Sequence, residues 1–244
     1  MKMHLLRTQS WATAFVILCM ISTPISSQAS PNKRLPTPPR TGTPTGNPTP
    51  TGGTRPEAAG GCRSTQPPVT ALVRVGQDFT LSGQPTLWFY IPYTKAEVQA
   101  IEFSLHDAQQ TKTLYRTTLQ VLTTPGIIAI PTQPNTSLKI GENYRWNLII
   151  ECQAKKEADM PDLLLSGWIQ RLEMPANFVK QLQSTSTKER TQRYLDAGGW
   201  YDALTHLAKL RLQNPQDTDL KKQWSQLLKS AGWDNLADKP LIKP

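Results

Sequence analysis

The sequence predicts a β + α fold: an antiparallel β-sandwich over residues 67–173, then a small α-helical domain over 174–244. Three observations predict it. Short apolar segments with a period of two recur between turn signals from Pro67 to Glu173, the pattern of half-buried strands. At Met174 the apolar spacing changes to three and four, the period of helices. Between them, Leu138–Cys152 anchors the sandwich. Its Tyr144, Trp146, Leu148, Ile150 and Cys152 fall on one face, and Arg145, Asn147 and Glu151 on the other, with Ile149 the exception.

In chain order, residues 1–29 read as a secretory signal peptide. Lys2 and Arg7 form a basic start, Trp11 to Ile21 an apolar run, and Ser27-Gln28-Ala29 the small residues that flank cleavage. The apolar run is short of the ~20 residues that span a bilayer. The mature chain is therefore expected to be exported, periplasmic or extracellular, with no transmembrane span. An uncleaved anchor is the alternative, and bulky Leu18 argues against lipid attachment at Cys19. Residues 30–66 form a linker. Its first part, 30–61, holds eight Pro, seven Thr and six Gly and cannot bury a core. A plain extended tether is the expectation, and a glycosylated or wall-associated stalk the alternative.

Removing the signal leaves Cys62 and Cys152, and two cysteines in an exported chain suggest one disulfide. It would tie the start of the folded region to the end of the anchoring strand.

Within 67–173, Val69, Ala71, Val73 and Val75 alternate. Leu87-Trp-Phe-Tyr-Ile91 is continuously apolar, as a central buried strand should be, and Pro92 stops it. Ile101, Phe103 and Leu105 alternate with Glu102, Ser104 and His106. A hairpin loop is expected at His106–Thr111, and the chain returns over Lys112–Val121. Pro125-Gly126 opens Ile127–Ile130, and a last strand covers Leu163–Leu172 after a polar loop at 153–162. The pattern Leu138-x-x-Gly141-x-x-Tyr144 sets a tyrosine at a strand start behind a glycine turn. That resembles the tyrosine corner of immunoglobulin-like and fibronectin type III sandwiches, in which the hydroxyl bonds back to the turn. An ordinary core strand is the other reading.

In the helical region, Pro175 suits a first turn, with Phe178 and Leu182 four apart. Ser186-Thr-Lys-Glu189 reads as a capping box for a helix reaching Ala197. Trp200, Ala203, Leu204, Leu207 and Leu210 make one apolar stripe. Leu220, Trp224, Leu227, Leu228 and Ala231 make another, ended by Gly232. Tyr194 to Pro215, with Gly198, Ala203 and Pro215, resembles one tetratricopeptide repeat. A lone repeat must bury its second face, so a cap on the sandwich and a free peptide-binding solenoid are both open.

The formal charge of +9 is spread out. Residues 1–29 carry two basic groups and no acid, 30–61 four and one, 62–173 ten and ten, and 174–244 eleven and seven. With no basic cluster interleaved with aromatics, a nucleic-acid partner is not expected. Arg190, Arg193, Lys209, Arg211, Lys221 and Lys222 lie between the apolar positions of the helices; an interaction surface for an acidic peptide or protein is one reading, and a solvated basic face on a structural cap the other.

Chemistry is sparse. No phosphate-binding glycine loop, nucleotide motif or metal-ligand cluster occurs, so no cofactor or metal is expected. The mature chain keeps only His106 and His206. His106 reads as a solvated strand residue and His206 as a packing-boundary residue, so neither is assigned as a catalytic base. Trp88, Tyr90, Tyr93 and Trp168 could stack on sugar rings, although a tryptophan on a central sandwich strand is ordinarily core.

The segments Leu87-Trp-Phe-Tyr-Ile-Pro-Tyr93, Tyr115-Arg-Thr-Thr118, Thr124-Pro-Gly-Ile127, Gly141-x-x-Tyr144-Arg-Trp146, Cys152, Gly167-Trp-Ile169 and Gly199-Trp-Tyr-Asp-Ala203 together resemble a cyanobacterial family of exported proteins catalogued as domain of unknown function 928. The likeness covers about Cys62 to Leu241. It implies export and the two-part layout, and it assigns no activity and no catalytic residue. The expected function is therefore non-enzymatic binding or scaffolding of a protein partner outside the cytoplasmic membrane. A carbohydrate-binding accessory module of the envelope is the alternative, and an envelope-polymer hydrolase the third.

Overall fold

A computed structural model of the chain describes residues 62–74, 79–120, 125–133, 135–153 and 163–242. The expected signal at 1–29, the tether over 30–61, Val75, Val121 and most of the 153–162 loop lie outside the described residues.

The elements are β1 (Thr70–Ala71), β2 (Phe79–Thr80), β3 (Thr86–Ile91), β4 (Val98–Asp107), β5 (Thr113–Leu119), β6 (Gly126–Pro131), β7 (Asn143–Cys152) and β8 (Leu163–Arg171). Four helices follow: α1 (Phe178–Ser184), α2 (Arg190–Asp196), α3 (Trp200–Gln213) and α4 (Thr218–Ser230). A 3-10 turn, Asp234–Leu236, comes last. This is a β + α fold with two sheets. One has the order β1-β3-β6 and the other β2-β8-β7-β4-β5. All pairs between these strands are antiparallel except β2 with β8, a two-residue parallel contact. A pair that short has no period to read, so the sequence gives no sign of it.

The two sheets face each other through aromatic contacts. Phe89 of β3 meets Trp146 of β7 edge-on, with ring centroids 5.4 Å apart, and Phe103 of β4 at 6.1 Å. Because side chains alternate along a strand, Trp88 and Tyr90 must point away from that core. They point at the helices. The Trp88 indole donates to the Thr205 hydroxyl of α3 at 2.9 Å, and Lys239 lies over the Tyr90 ring. Strand β3 is thus covered on both faces, which explains why Leu87–Ile91 has no polar position.

The helices join the sandwich through one core. Trp200, Tyr201, Leu204, Leu207, Leu220, Trp224 and Leu228 cluster with the residues of both sheets. The Trp200 indole donates to the Leu72 carbonyl at 2.9 Å, and the Tyr201 hydroxyl to the Trp168 carbonyl at 3.3 Å. The apolar stripes of α3 and α4 are therefore covered by the sheets and by each other. Past Ala231, Gly232 holds φ at +81°, where a glycine carries no Cβ penalty.

Two strand margins are closed. Beyond β6 the chain end lies alongside: the Ile127 amide donates to the Pro240 carbonyl, and the Ile242 amide to the Ile127 carbonyl. At the other end, Cys62 and Cys152 form a disulfide with Cα atoms 5.1 Å apart. The following Arg63 pairs with Glu97, and its carbonyl accepts from the Tyr93 hydroxyl.

Strand β7 shows the expected alternation, with Tyr144, Trp146, Leu148, Ile150 and Cys152 all buried. Gly141, at φ +80°, turns the chain into it. The Tyr144 hydroxyl accepts from the Lys139 amide at 2.9 Å and donates to the Glu142 carboxylate at 3.1 Å. Leu138 is buried, and its carbonyl accepts from Arg171 at 2.6 Å.

Two local expectations are corrected. His106 is not solvated: it is paired within β4 opposite Thr113 and is only 9% exposed. Its strand lies between β5 and β7, so long neighbours such as Arg116 and Arg145 flank it. The hairpin turn instead follows Asp107, whose carboxylate accepts from the Thr111 and Lys112 amides. Ser186 and Glu189 also do not form a reciprocal capping box. The Ser186 hydroxyl donates to the Glu189 carboxylate, and regular helix begins only at Arg190.

Candidate binding cleft beside helix α3

Two turns of sequence place a polar face on α3. Asp202, Thr205, His206 and Lys209 are spaced i, i+3, i+4 and i+7, so they share one side of the helix. The apolar residues Trp200, Ala203, Leu204 and Leu207 occupy the other side. The polar side faces the connection from β2 to β3, and a cleft of about 230 Å³ opens there. Thr80, Ser82, Gln84, Pro85 and Thr86 line it from the sheet, and Tyr194 and Tyr201 from the helices.

Several of these groups are engaged by the fold. Oδ2 of Asp202 accepts from the Thr80 hydroxyl at 2.9 Å and the Leu81 amide at 2.8 Å, which fastens the first turn of α3 to β2. Burial pushes this carboxyl above its ordinary value, and the two hydrogen bonds pull the other way. Gly199 permits the approach, since a Cβ there would lie 2.9 Å from Asp202 Oδ2 and 3.1 Å from the Leu81 side chain. Thr205 accepts from Trp88, and the Ser82 hydroxyl accepts from the Gln84 amide.

Three groups are left to the cleft. The Tyr194 hydroxyl and the Lys209 ammonium have no hydrogen-bond partner among the described residues. His206 Nε2 bonds the Thr187 carbonyl at 2.8 Å, so that nitrogen carries the proton. Its second nitrogen has no partner among the described residues. The Tyr194 and His206 rings stand 5.8 Å apart. Burial and the nearby Asp202 raise the Tyr194 hydroxyl pKa, and the neighbouring Arg190 lowers it.

The six cations read from the sequence are placed differently. Lys209 lines the cleft, and Arg190 stands near Tyr194 with Nε donating to the Thr185 carbonyl. Arg193, Lys221 and Lys222 are exposed. Arg211 is half-buried, its guanidinium 5.4 Å from the Trp224 ring, and it serves packing. Lys188, which the sequence did not single out, pairs with Asp217 and Asp219.

Among the described residues, the Ser104–His106 pair is far less open than this cleft. Ser104 and His106 are 2.9 Å apart, but they are 3% and 9% exposed, and the other His106 nitrogen faces the Thr113 hydroxyl rather than a carboxylate. Burial, then Arg116, holds His106 below its ordinary pKa. Trp88, Tyr90, Tyr93 and Trp168 are all buried, so they form core and not a stacking platform. Among the described residues no group of three His, Cys, Asp or Glu side chains is placed to hold a metal ion. No helix among them is long and apolar enough to cross a membrane.

The family model Domain of Unknown Function (DUF928) matches residues 50–241. The chain belongs to this family. The match takes in both sheets, all four helices and the cleft, so the DUF928 fold includes the helices as well as the strands. No curated protein and no solved structure matches the chain. The sequence reading missed Asp202, Thr205 and Tyr194 as site residues. For Asp202 and Thr205 a polar i, i+3, i+4, i+7 pattern on α3 was the available signal, hidden because the apolar side of the same helix is the stronger one; Tyr194 lies on α2, outside that pattern.

Proposed function

We propose that this DUF928 protein is exported and works outside the cytoplasmic membrane as a non-enzymatic module that docks an acidic protein surface on its helices. One observation carries the reading. Arg193, Lys209, Lys221 and Lys222 are exposed and form no ion pair with another described residue, whereas the acids Asp217 and Asp219 are engaged by Lys188 and Asp202 is turned inward. Exposed cations without an ion pair attract an acidic partner and speed its encounter. The disulfide and the lack of a membrane-crossing helix among the described residues are compatible with export. In this reading the sandwich is of the immunoglobulin or fibronectin type III kind and the family cyanobacterial. The α2–α3 pair is a single tetratricopeptide-like hairpin whose second face is covered by β3 instead of further repeats.

The test uses the full-length protein as bait on an extracytoplasmic fraction, beside a variant carrying Arg193→Glu, Lys209→Glu, Lys221→Glu and Lys222→Glu. An acidic protein should be retained by the native chain, released as salt rises, and lost by the variant at unchanged melting temperature. Equal retention by both chains refutes the reading. The polar lining of the cleft favours a second reading, a carbohydrate-binding accessory role, which retained envelope glycan without protein would support. Release of products from that glycan would point to the hydrolase.

A further inference from the structure

We infer that the cleft between α3 and the β2–β3 connection receives one carboxylate side chain of the acidic partner, held by Lys209 and the Tyr194 hydroxyl. The inference rests on the docking reading above and names the contact within it.

Size comes first. A cleft of about 230 Å³ is below the roughly 300–1,000 Å³ of pockets that hold drug-sized ligands. It suits a single side chain. Chemistry comes second. Thr80 and Leu81 hold Oδ2 of Asp202, Trp88 and the Thr86 carbonyl engage the Thr205 hydroxyl, and the Tyr201 hydroxyl donates to the Trp168 carbonyl. The groups that remain include one ammonium, one phenol hydroxyl and one imidazole nitrogen, with Arg190 close enough to act on Tyr194. Two of those groups are donors, and Lys209 brings a positive charge into the cleft, set against the Asp202 charge that Tyr194 also feels. A carboxylate, with two acceptor oxygens, accepts from both Lys209 and Tyr194 at once. Oδ2 of Asp202 is turned toward the Leu81 amide and the Thr80 hydroxyl and is not itself a partner for such a group. Pro85 and the paired rings of Tyr194 and His206 flank the aliphatic stem of such a side chain.

The experiment is an NMR titration of the isotope-labelled full-length chain with a glutamate residue capped as N-acetyl and N-methylamide. The glutamine counterpart, glutarate and N-acetylglucosamine are titrated in parallel. Capped glutamate should move the Tyr194, His206 and Lys209 signals saturably, at least tenfold more tightly than capped glutamine. Lys209→Gln should abolish that shift, and Lys221→Gln should leave it intact. No saturable shift, equal binding of the glutamine form, or survival of the shift in Lys209→Gln overturns the inference. So does binding of glutarate or N-acetylglucosamine in place of capped glutamate. If protein capture depends on Lys221 and Lys222 while Lys209→Gln changes nothing, docking stands and only the cleft contact is refuted.

Discussion

Replacing Gly167 with alanine tests how β7 and β8 are packed. Gly167 sits opposite Trp146 in the ladder, and the indole lies over it. A Cβ there would fall 2.3 Å from Cζ2 and 2.6 Å from Cε2 of Trp146. Carbon atoms in contact sit at about 3.5–4.0 Å, so the indole would have to move by more than about 1 Å. It has nowhere to go, being fully buried and set edge-on against Phe89. Overpacking of this kind costs about 1–3 kcal/mol, and the pinned ring places Gly167→Ala at the upper end. The smaller entropy of the unfolded alanine chain returns about 0.4–1 kcal/mol. The expected net loss is about 2 kcal/mol, or a melting temperature lower by roughly 4–8 °C at about 2–4 °C per kcal/mol. Urea and thermal unfolding measure it. The same substitution should cost under about 1 kcal/mol in a Trp146→Phe background, where the clashing atoms are gone. That background also removes an indole N–H with no partner among the described residues. A native melting temperature for Gly167→Ala, or an equal penalty in both backgrounds, would refute the reasoning.

Three further perturbations follow from the same geometry. Cys62→Ser with Cys152→Ser opens a loop of 90 residues, for which the chain-entropy model gives at most about 4–5 kcal/mol, read as a fall in the denaturant midpoint. Tyr144→Phe leaves the Lys139 amide without its acceptor and should cost about 1 kcal/mol, whereas an unchanged unfolding curve would show that Tyr144 only packs. Arg63, then the Thr94 amide, hold the Glu97 carboxyl down at about 2, below its ordinary 4.5. A depressed carboxyl gives stability that is present above about 4.5 and lost as pH falls toward 2. The stability gap between native protein and Glu97→Gln should therefore narrow over that window, and a constant gap would exclude the linkage.

Strand and helix faces were legible because their signals are local. The alternation of Tyr144 to Cys152, the continuous run Leu87–Ile91 and the stripes of α3 and α4 each report which side of an element is buried. Likewise the Cys62–Cys152 bridge follows from there being only two cysteines beyond Cys19. What covers each face was not legible. Trp88 and Tyr90 read as apolar in any setting, and only the tertiary structure gives them α3 and Lys239 as neighbours. His106 read as solvated because its own strand alternates, while its burial comes from the strands on either side.

The cleft shows the same division most clearly. The sequence by itself determined that Asp202, Thr205, His206 and Lys209 share one side of a helix, since 3.6 residues per turn requires it. The tertiary structure decided that this side meets the β2–β3 connection, through Thr80–Asp202 and Trp88–Thr205 contacts across 122 and 117 residues. Periodicity is a property of neighbouring residues and fixes orientation about one axis. Contacts between residues so far apart depend on how whole layers stack, and they alone left Lys209 and Tyr194 open while Asp202 was drawn into the fold.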